Sequence, residues 1–304
     1  MNMRHRRRSG YRRRYGFRRE WQDLLRAAAG GFLFGVPLLY TMEVWWIGSS
    51  VSPPMMLMAI AVTLLVVFSL SLTAGFRQTR ATAPFKALED TLNAMAIGLI
   101  SAAFLLVILR EITLQTELRE SLGKVIFESV PFALGAALAN QFLTANNDDQ
   151  AAPPASRSPV NGALERFFPE NNLNETLADI GATLVGALIV AFSIAPTEEV
   201  PTLVGAVQGP WLLVIVLVSL GISYIIVFQA NLTRQQARQM QQGLFQSPMS
   251  ETVMSYLVSL VAAAVMLTFF QQFSWSTPWG VVFRHVLVLG LPATIGGAAG
   301  RLAL

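Results

Sequence analysis

MMLMAIAVTLLVVFSLSLTAGF, residues 55–76, holds 22 residues without one charged side chain. Wound as helix at about 1.5 Å per residue it is about 33 Å long, enough to cross a hydrocarbon core about 30 Å thick. Pro53-Pro54 precede it and Arg77 follows it. A membrane β-strand would be about ten residues long, with apolar and polar side chains alternating. Nothing in the stretch alternates that way, so it reads as a transmembrane helix.

Seven more runs of this kind appear on either side. The eight predicted spans are 25–47, 55–76, 90–110, 124–144, 176–196, 211–231, 252–272 and 281–302. Pro210 opens the sixth and Pro278 precedes the eighth, while the charged stretch Arg110–Lys124 separates the third from the fourth. Of the 304 residues, 53% are hydrophobic and 13% charged, against about 25% charged in a soluble domain. The expected fold is all-α: a polytopic membrane protein of eight transmembrane helices.

The basic residues predict an orientation, because Lys and Arg collect on the cytoplasmic side. With the N-terminus placed there, 18 of the 22 basic residues fall on cytoplasmic segments and four (Arg110, Arg119, Lys124 and Arg284) fall outside. An even number of spans then returns the C-terminus to the cytoplasm. Trp45, Trp46, Trp211, Trp275 and Trp279 fall at predicted outer ends, where an interfacial aromatic belt belongs. The expected location is a bacterial cytoplasmic membrane.

The predicted organisation has four parts. Residues 1–24 form a basic cytoplasmic tail, 25–144 a first four-helix unit, 145–175 a cytoplasmic linker, and 176–304 a second four-helix unit. The tail is too long and too basic for a cleavable signal, and the run after it is a full span. It fixes topology and offers a contact for anionic lipid headgroups; nucleic acid is not an expected partner. The linker opens Ala145-Asn-Asn-Asp-Asp-Gln150, which is poor in apolar residues. Residues 161–175 are expected to hold a short interfacial helix around Leu164, Phe167 and Phe168.

The two halves resemble each other. An offset of 161 carries Asp90-Thr91 onto Glu251-Thr252, Ala102-Ala103 onto Ala263-Ala264, Pro131 onto Pro292 and Gly135 onto Gly296. Offsets of 155 and 156 carry Gly31 onto Gly186, Glu43 onto Glu198 and Pro54 onto Pro210. The prediction is two parallel four-helix repeats, since four spans return the chain to the side it left. Gly31-x-x-x-Gly35, Gly135-x-x-x-Ala139 and Gly296-x-x-x-Gly300 are spacings at which helix backbones approach closely.

Carboxylates at apolar depth are the candidate functional residues. Glu43 lies late in the first span, Glu198 and Glu199 end the fifth, and Glu128 lies one turn into the fourth. An ionised carboxylate in lipid costs at least about 2.5–3.5 kcal/mol, so these groups should face the bundle interior or water. A pair formed by Glu43 and Glu198 could bind a cation or share a proton. Arg284 and His285 could pair with Glu128 or Glu43. The plainer reading is that these glutamates sit among headgroups and end helices, and that Asp179 and Asn93 cap helices. With no Cys and two His (His5 and His285), the chain has little material for zinc or acid–base chemistry. No phosphate-binding loop, nucleophile elbow or metalloprotease motif occurs. An enzyme is not expected, and neither is a cofactor or a metal centre.

The pattern Gly31-x-x-x-Gly35-Val-Pro37-Leu-Leu-Tyr40-Thr-Met-Glu43-Val-Trp45, with Gly75-Phe76-Arg77 after the second span, resembles a family of bacterial integral membrane proteins of unknown function. The resemblance covers most of residues 20–304. It implies a bacterial cytoplasmic-membrane location and brings no activity or ligand residues. Two functions remain open from sequence. One is a channel or secondary transporter for a small cation or proton, with the carboxylates on its route. The other is a non-transporting scaffold, sensor or assembly factor.

Overall fold

A computed structural model describes residues 4–76, 83–148, 172–207, 209–229, 248–274 and 276–303. Every regular element among them is helical. The first half comprises α1 (Arg4–Leu39), α2 (Met42–Ser50), α3 (Pro53–Phe76), α4 (Ala83–Ile108) and α5 (Leu118–Asp148). The second comprises α6 (Asn172–Ile194), α7 (Glu199–Ala206), α8 (Gly209–Tyr224, continued by a π-helical turn Ile225–Gln229), α9 (Pro248–Phe269) and α10 (Trp279–Ala303). Seven of these helices are long and apolar enough to cross a membrane, and the bent pair α1–α2 makes an eighth. Residues 145–148 belong to α5 and 172–175 to α6. The rest of the predicted linker and its interfacial helix lie outside the described residues.

The first span is not the straight helix 25–47 expected from sequence. α1 stops at Leu39 and α2 leaves it at 89°. Pro37 lies in the last turn of α1, where it removes a backbone donor and crowds the carbonyl four residues back. Side chains then satisfy the carbonyls freed at the helix end. Thr41 Oγ1 donates to Leu38 O at 2.7 Å, and the Trp45 indole N–H donates to Leu39 O at 2.9 Å. At the end of α6, Thr197 Oγ1 donates to Ile194 O at 2.6 Å before α7 begins. The short helices α2 and α7 thus lie at one end of the bundle, here called the break end. The opposite end, where α1 starts and α10 finishes, is the tail end.

Helix ends recur at the offsets seen in the sequence. α1 ends at Leu39 and α6 at Ile194, 155 positions on. α4 and α9 end 161 apart, at Ile108 and Phe269; α5 and α10 begin 161 apart, at Leu118 and Trp279. The turns that follow α4 and α9 share their main bonds. Arg110 (φ 65°) and Gln271 (φ 57°) are the positive-φ residues other than glycine among the described residues. Each closes a Schellman motif: Glu111 N–H donates to Leu106 O and Gln272 N–H to Leu267 O, both at 2.9 Å. Thr113 N–H then donates to Thr116 Oγ1 and Ser274 N–H to Thr277 Oγ1, again both at 2.9 Å.

Glycines set the closest helix crossings. A Cβ on Gly135 of α5 would strike Gly30 O of α1, and one on Gly30 would strike Ala139 Cβ. A Cβ on Gly186 of α6 would strike Gly296 O of α10, and one on Gly300 would strike Ala182 O. Small residues at four-residue spacing let these backbones touch and gain van der Waals contact. The outer faces carry what a soluble fold would bury: Leu57, Leu65, Ile100, Ile189, Leu213 and Leu217 are all exposed. Such a surface suits lipid. A large core joins both halves, including Leu39, Leu105, Phe132, Leu203, Ile215, Leu267 and Leu289. A smaller one, Ala27, Val67, Ala94, Met95, Ala133, Ala136 and Ala137, belongs to the first half alone.

Candidate ion site at the helix breaks

The six residues singled out from sequence divide into buried and exposed sets. Glu128 on α5 and Glu199 at the start of α7 are buried, at 1% and 7% exposure. Glu43, Glu198 and Arg284 are exposed and make no ion pair among the described residues. His285 is half-buried; its Nδ1 lies 2.9 Å from Val281 O of its own helix and its ring meets Phe273 edge-on. The helix break explains why Glu43 lies outward. It starts α2 at the edge of the bundle and does not stand deep inside a continuous span, so no ion pair joins it to Glu198. Arg284 pairs with neither Glu128 nor Glu43.

Glu199, one residue past the expected partner, is the carboxylate that reaches the first break. The Met42 N–H donates to Glu199 Oε1 at 3.5 Å, a long bond between the N-terminus of α2 and the first turn of α7. Helix N-termini favour negative charge. Two shorter bonds tie the halves together nearby: Tyr40 Oη donates to Val288 O and the Trp211 indole N–H to Ile108 O, each at 2.7 Å.

Glu128 stands among charges from its own half. Trp45 of α2 and Glu111, in the loop after α4, both lie close enough to act on it. Lys124, one turn before it on α5, is also buried. Its Nζ bonds Glu120 at 2.9 Å, Glu111 Oε2 at 3.4 Å and Glu111 O at 3.1 Å. The lysine is therefore occupied by two other carboxylates. Glu128 Oε1 and Glu199 Oε2 have no hydrogen-bond partner among the described residues. Met42 and Trp45 are three residues apart on α2, hence on one face of that helix; Met42 meets Glu199 and Trp45 lies beside Glu128.

Sequence alone does not assemble this cluster, in which Glu111, Glu120 and Lys124 weigh only as loop charges that set topology. The signal is present in the four-residue spacing of Glu120, Lys124 and Glu128, which puts all three on one helical face. A second buried charge is equally hidden in the sequence. Arg301 at the tail end of α10 is 1% exposed and pairs with Glu251 of α9 and, at 3.6 Å, with Asp179 of α6. Asp179 is not a helix cap, because α6 begins seven residues earlier, at Asn172.

Fold and site together define an integral, multi-pass helical membrane protein whose interior holds charge at both ends. The chain belongs to the family described as "Putative integral membrane protein (DUF2391)", whose model matches residues 23–304. No curated protein and no solved structure matches the chain.

Proposed function

We propose that the chain is a non-enzymatic channel or secondary transporter for a small cation or proton in a bacterial cytoplasmic membrane. Glu128 and Glu199 are the carboxylates on its route. One observation carries this reading: both are buried, and each keeps an oxygen that no described protein group satisfies. A buried, unpaired carboxylate costs several kcal/mol, a cost that a bound proton or cation removes. The buried lysine at this end, Lys124, pairs with Glu111 and Glu120 and not with Glu128 or Glu199, so the two buried acids on the route are left to a cation. Glu43 and Glu198 stand at the outer margin, and Arg284 and His285 are peripheral to the route.

The reading includes an orientation and an origin. The 18-to-4 partition of basic residues puts both termini and the tail end in the cytoplasm, with the break end outside. The recurring helix ends and the paired Schellman turns support an internal duplication into two parallel repeats. The chain has no Cys, so single cysteines report orientation cleanly. Positions 50, 116, 205 and 277 should label from outside, with 82, 150 and 240 protected; the opposite pattern reverses the orientation.

Function is tested by reconstitution into liposomes with imposed proton, Na⁺ and K⁺ gradients. Glu128→Gln and Glu199→Gln should insert normally and lose most of the flux, whereas Glu43→Gln should retain it. If the unaltered protein moves none of these ions, the scaffold, sensor or assembly reading replaces this one.

A further inference from the structure

We propose that the second half holds a water-lined proton path opening at the tail end, and that the first half holds none. The proposal rests on the conducting role given above and narrows its cargo to the proton. It begins with side chains at corresponding positions. Where the first half packs Ala28, Val67, Ala94, Met95, Gly98 and Ala133, the second packs Thr183, Ser223, Ser255, Tyr256, Ser259 and Thr294. All six of the second-half residues are buried. They come from α6, α8, α9 and α10, the four long helices of that half.

Two of these hydroxyls are unaccounted for. Ser223 Oγ and Tyr256 Oη have no hydrogen-bond partner among the described residues, although the residues are 1% and 5% exposed. Three others donate back to their own helix: Thr183 to Asp179 O, Ser259 to Ser255 O and Thr294 to Gly290 O. Donation of that kind leaves the hydroxyl lone pairs free to accept from water. Thr183 Oγ1 and Ser255 Oγ lie 3.5 Å apart, as Thr91 Oγ1 and Ser71 Oγ do in the first half, but the second half also holds the two hydroxyls without a partner among the described residues.

Charged and aromatic groups stand at the tail end of this seam. Arg301 of α10 faces Asp179 from α6, Glu251 from α9, and the Phe228 ring from the π-helical turn of α8, 5.9 Å from its guanidinium carbon. π-Turns inside helices occur often at functional sites. Two carboxylates beside one guanidinium leave an acceptor where a proton enters from water. Ser223 and Tyr256 can each take a proton from one water as they pass their own to the next, while Thr183, Ser259 and Thr294, whose hydrogens stay on backbone carbonyls, hold intervening waters through their lone pairs, so no group changes state overall. A metal ion has no such relay to follow and would have to shed its hydration water to pass residues that are at most 5% exposed, which is why the seam suits a proton.

The test uses the full chain in liposomes. Single variants Ser223→Cys and Ser255→Cys should react with a small, water-soluble, charged methanethiosulfonate applied at the tail end. The first-half variants Val67→Cys and Ala94→Cys should stay unreacted over the same time. Ser223→Ala combined with Tyr256→Phe should lower proton flux about 100-fold, the low end of what positioned proton-transfer groups contribute. Equal labelling of the two halves, or undiminished proton flux in the double variant, overturns the path and leaves conduction itself standing. Flux of Na⁺ or K⁺ without protons overturns the choice of cargo, and no ion flux at all overturns both this proposal and the conducting role.

Discussion

Ser223, Ser255, Tyr256 and Thr294 put hydroxyls in the second half where, at the same offsets, the first half has the hydrocarbon of Val67, Ala94, Met95 and Ala133; the first half's own buried hydroxyls, Thr63, Thr91, Ser101 and Ser129, lie at other positions. The break end shows the opposite bias. There the first half carries Glu111, Lys124 and Glu128, where the second has Gln272, His285 and Leu289. The backbone recurs between the halves, down to the bonds of the Schellman turns, but the interior chemistry recurs only in part, as in the buried pairs Thr63 and Ser219, and Thr91 and Thr252. Shared backbone geometry points to packing that both halves need. Divergent interiors are what the proposed division of work would use, with ion capture beside the helix breaks in the first half and passage toward the tail end in the second.

The largest expected effect removes what the halves share. Gly135→Val and Gly296→Val each force side-chain atoms into a facing backbone carbonyl. A carbonyl cannot rotate away as a side chain can, so each variant should lose about 3 kcal/mol or more. The check is thermal unfolding in detergent micelles. Gly221 is the control, because a Cβ there would meet nothing within 4 Å. Gly221→Ala should gain about 0.5–1 kcal/mol from helix propensity. If Gly135→Val is tolerated and Gly296→Val is not, the halves are not held by equivalent crossings.

Next come the two buried cations, one in each half and at opposite ends. Arg301→Met leaves Asp179 and Glu251 without their buried partner and should cost about 3–5 kcal/mol. Lys124→Met should cost less, because the lysine side chain is 9% exposed where that of Arg301 is 1%, so water reaches the place it leaves more readily. Chemical denaturation of both variants in one detergent ranks them. Equal losses would mean that the break end is as dry as the tail end, which would weaken the case for ion entry there.

The membrane class was legible because about 20 uncharged residues in a row have few other physical solutions. The offsets were legible because prolines, glycines and loop charges punctuate the sequence. The helix break at Tyr40 was not, although Pro37 was in view: proline in a transmembrane helix is often tolerated, and the bonds that stabilise the break involve Thr41 and Trp45 reaching backward. For the same reason the proposed route takes Glu199, and not Glu43, from among the sequence candidates. In a continuous helix Glu43 is deep, whereas after an 89° turn it lies on a short helix at the bundle edge. Arg301 and Asp179 were hidden by a different cause. Each is a lone charge near a span end, where sequence alone suggests headgroups, and only tertiary packing of α6, α9 and α10 closes them in.

A smaller effect separates the matched turns. Gln271 is exposed and holds a left-handed conformation that glycine adopts without strain. Gln271→Gly should therefore raise stability by up to about 1 kcal/mol. Arg110 adopts the same conformation, but its guanidinium carbon lies 5.4 Å from the centre of the Trp211 ring, across the junction between halves. Arg110→Gly trades relief of strain against a cation–π contact worth about 0.5–1 kcal/mol at an exposed site, so little net change is expected. Thermal midpoints of the two variants test this directly. A gain at both positions would mean that the Trp211 contact contributes nothing.

The smallest expected effect concerns the seam itself. Ser255→Ala, Ser259→Ala and Thr294→Val each replace a second-half side chain by one nearer its first-half counterpart in size or polarity. Ser259 and Thr294 bond their own helices, so those bonds exist with or without the neighbouring helix. Interhelical hydrogen bonds in membranes are worth about 0.6 kcal/mol on average, and bonds within one helix contribute less to holding helices together. Each variant should therefore change stability by less than about 0.6 kcal/mol. Hydroxyls that serve packing and hydroxyls that serve a path part company here. If they hold the helices together, their removal lowers the unfolding midpoint and leaves flux per folded molecule unchanged. If they line a path, the midpoint stays where it is while thiol access at position 223 and proton flux fall together. Measuring both quantities on the same preparations decides between the two, since a buried seam that is merely structural has no means of altering flux without altering stability.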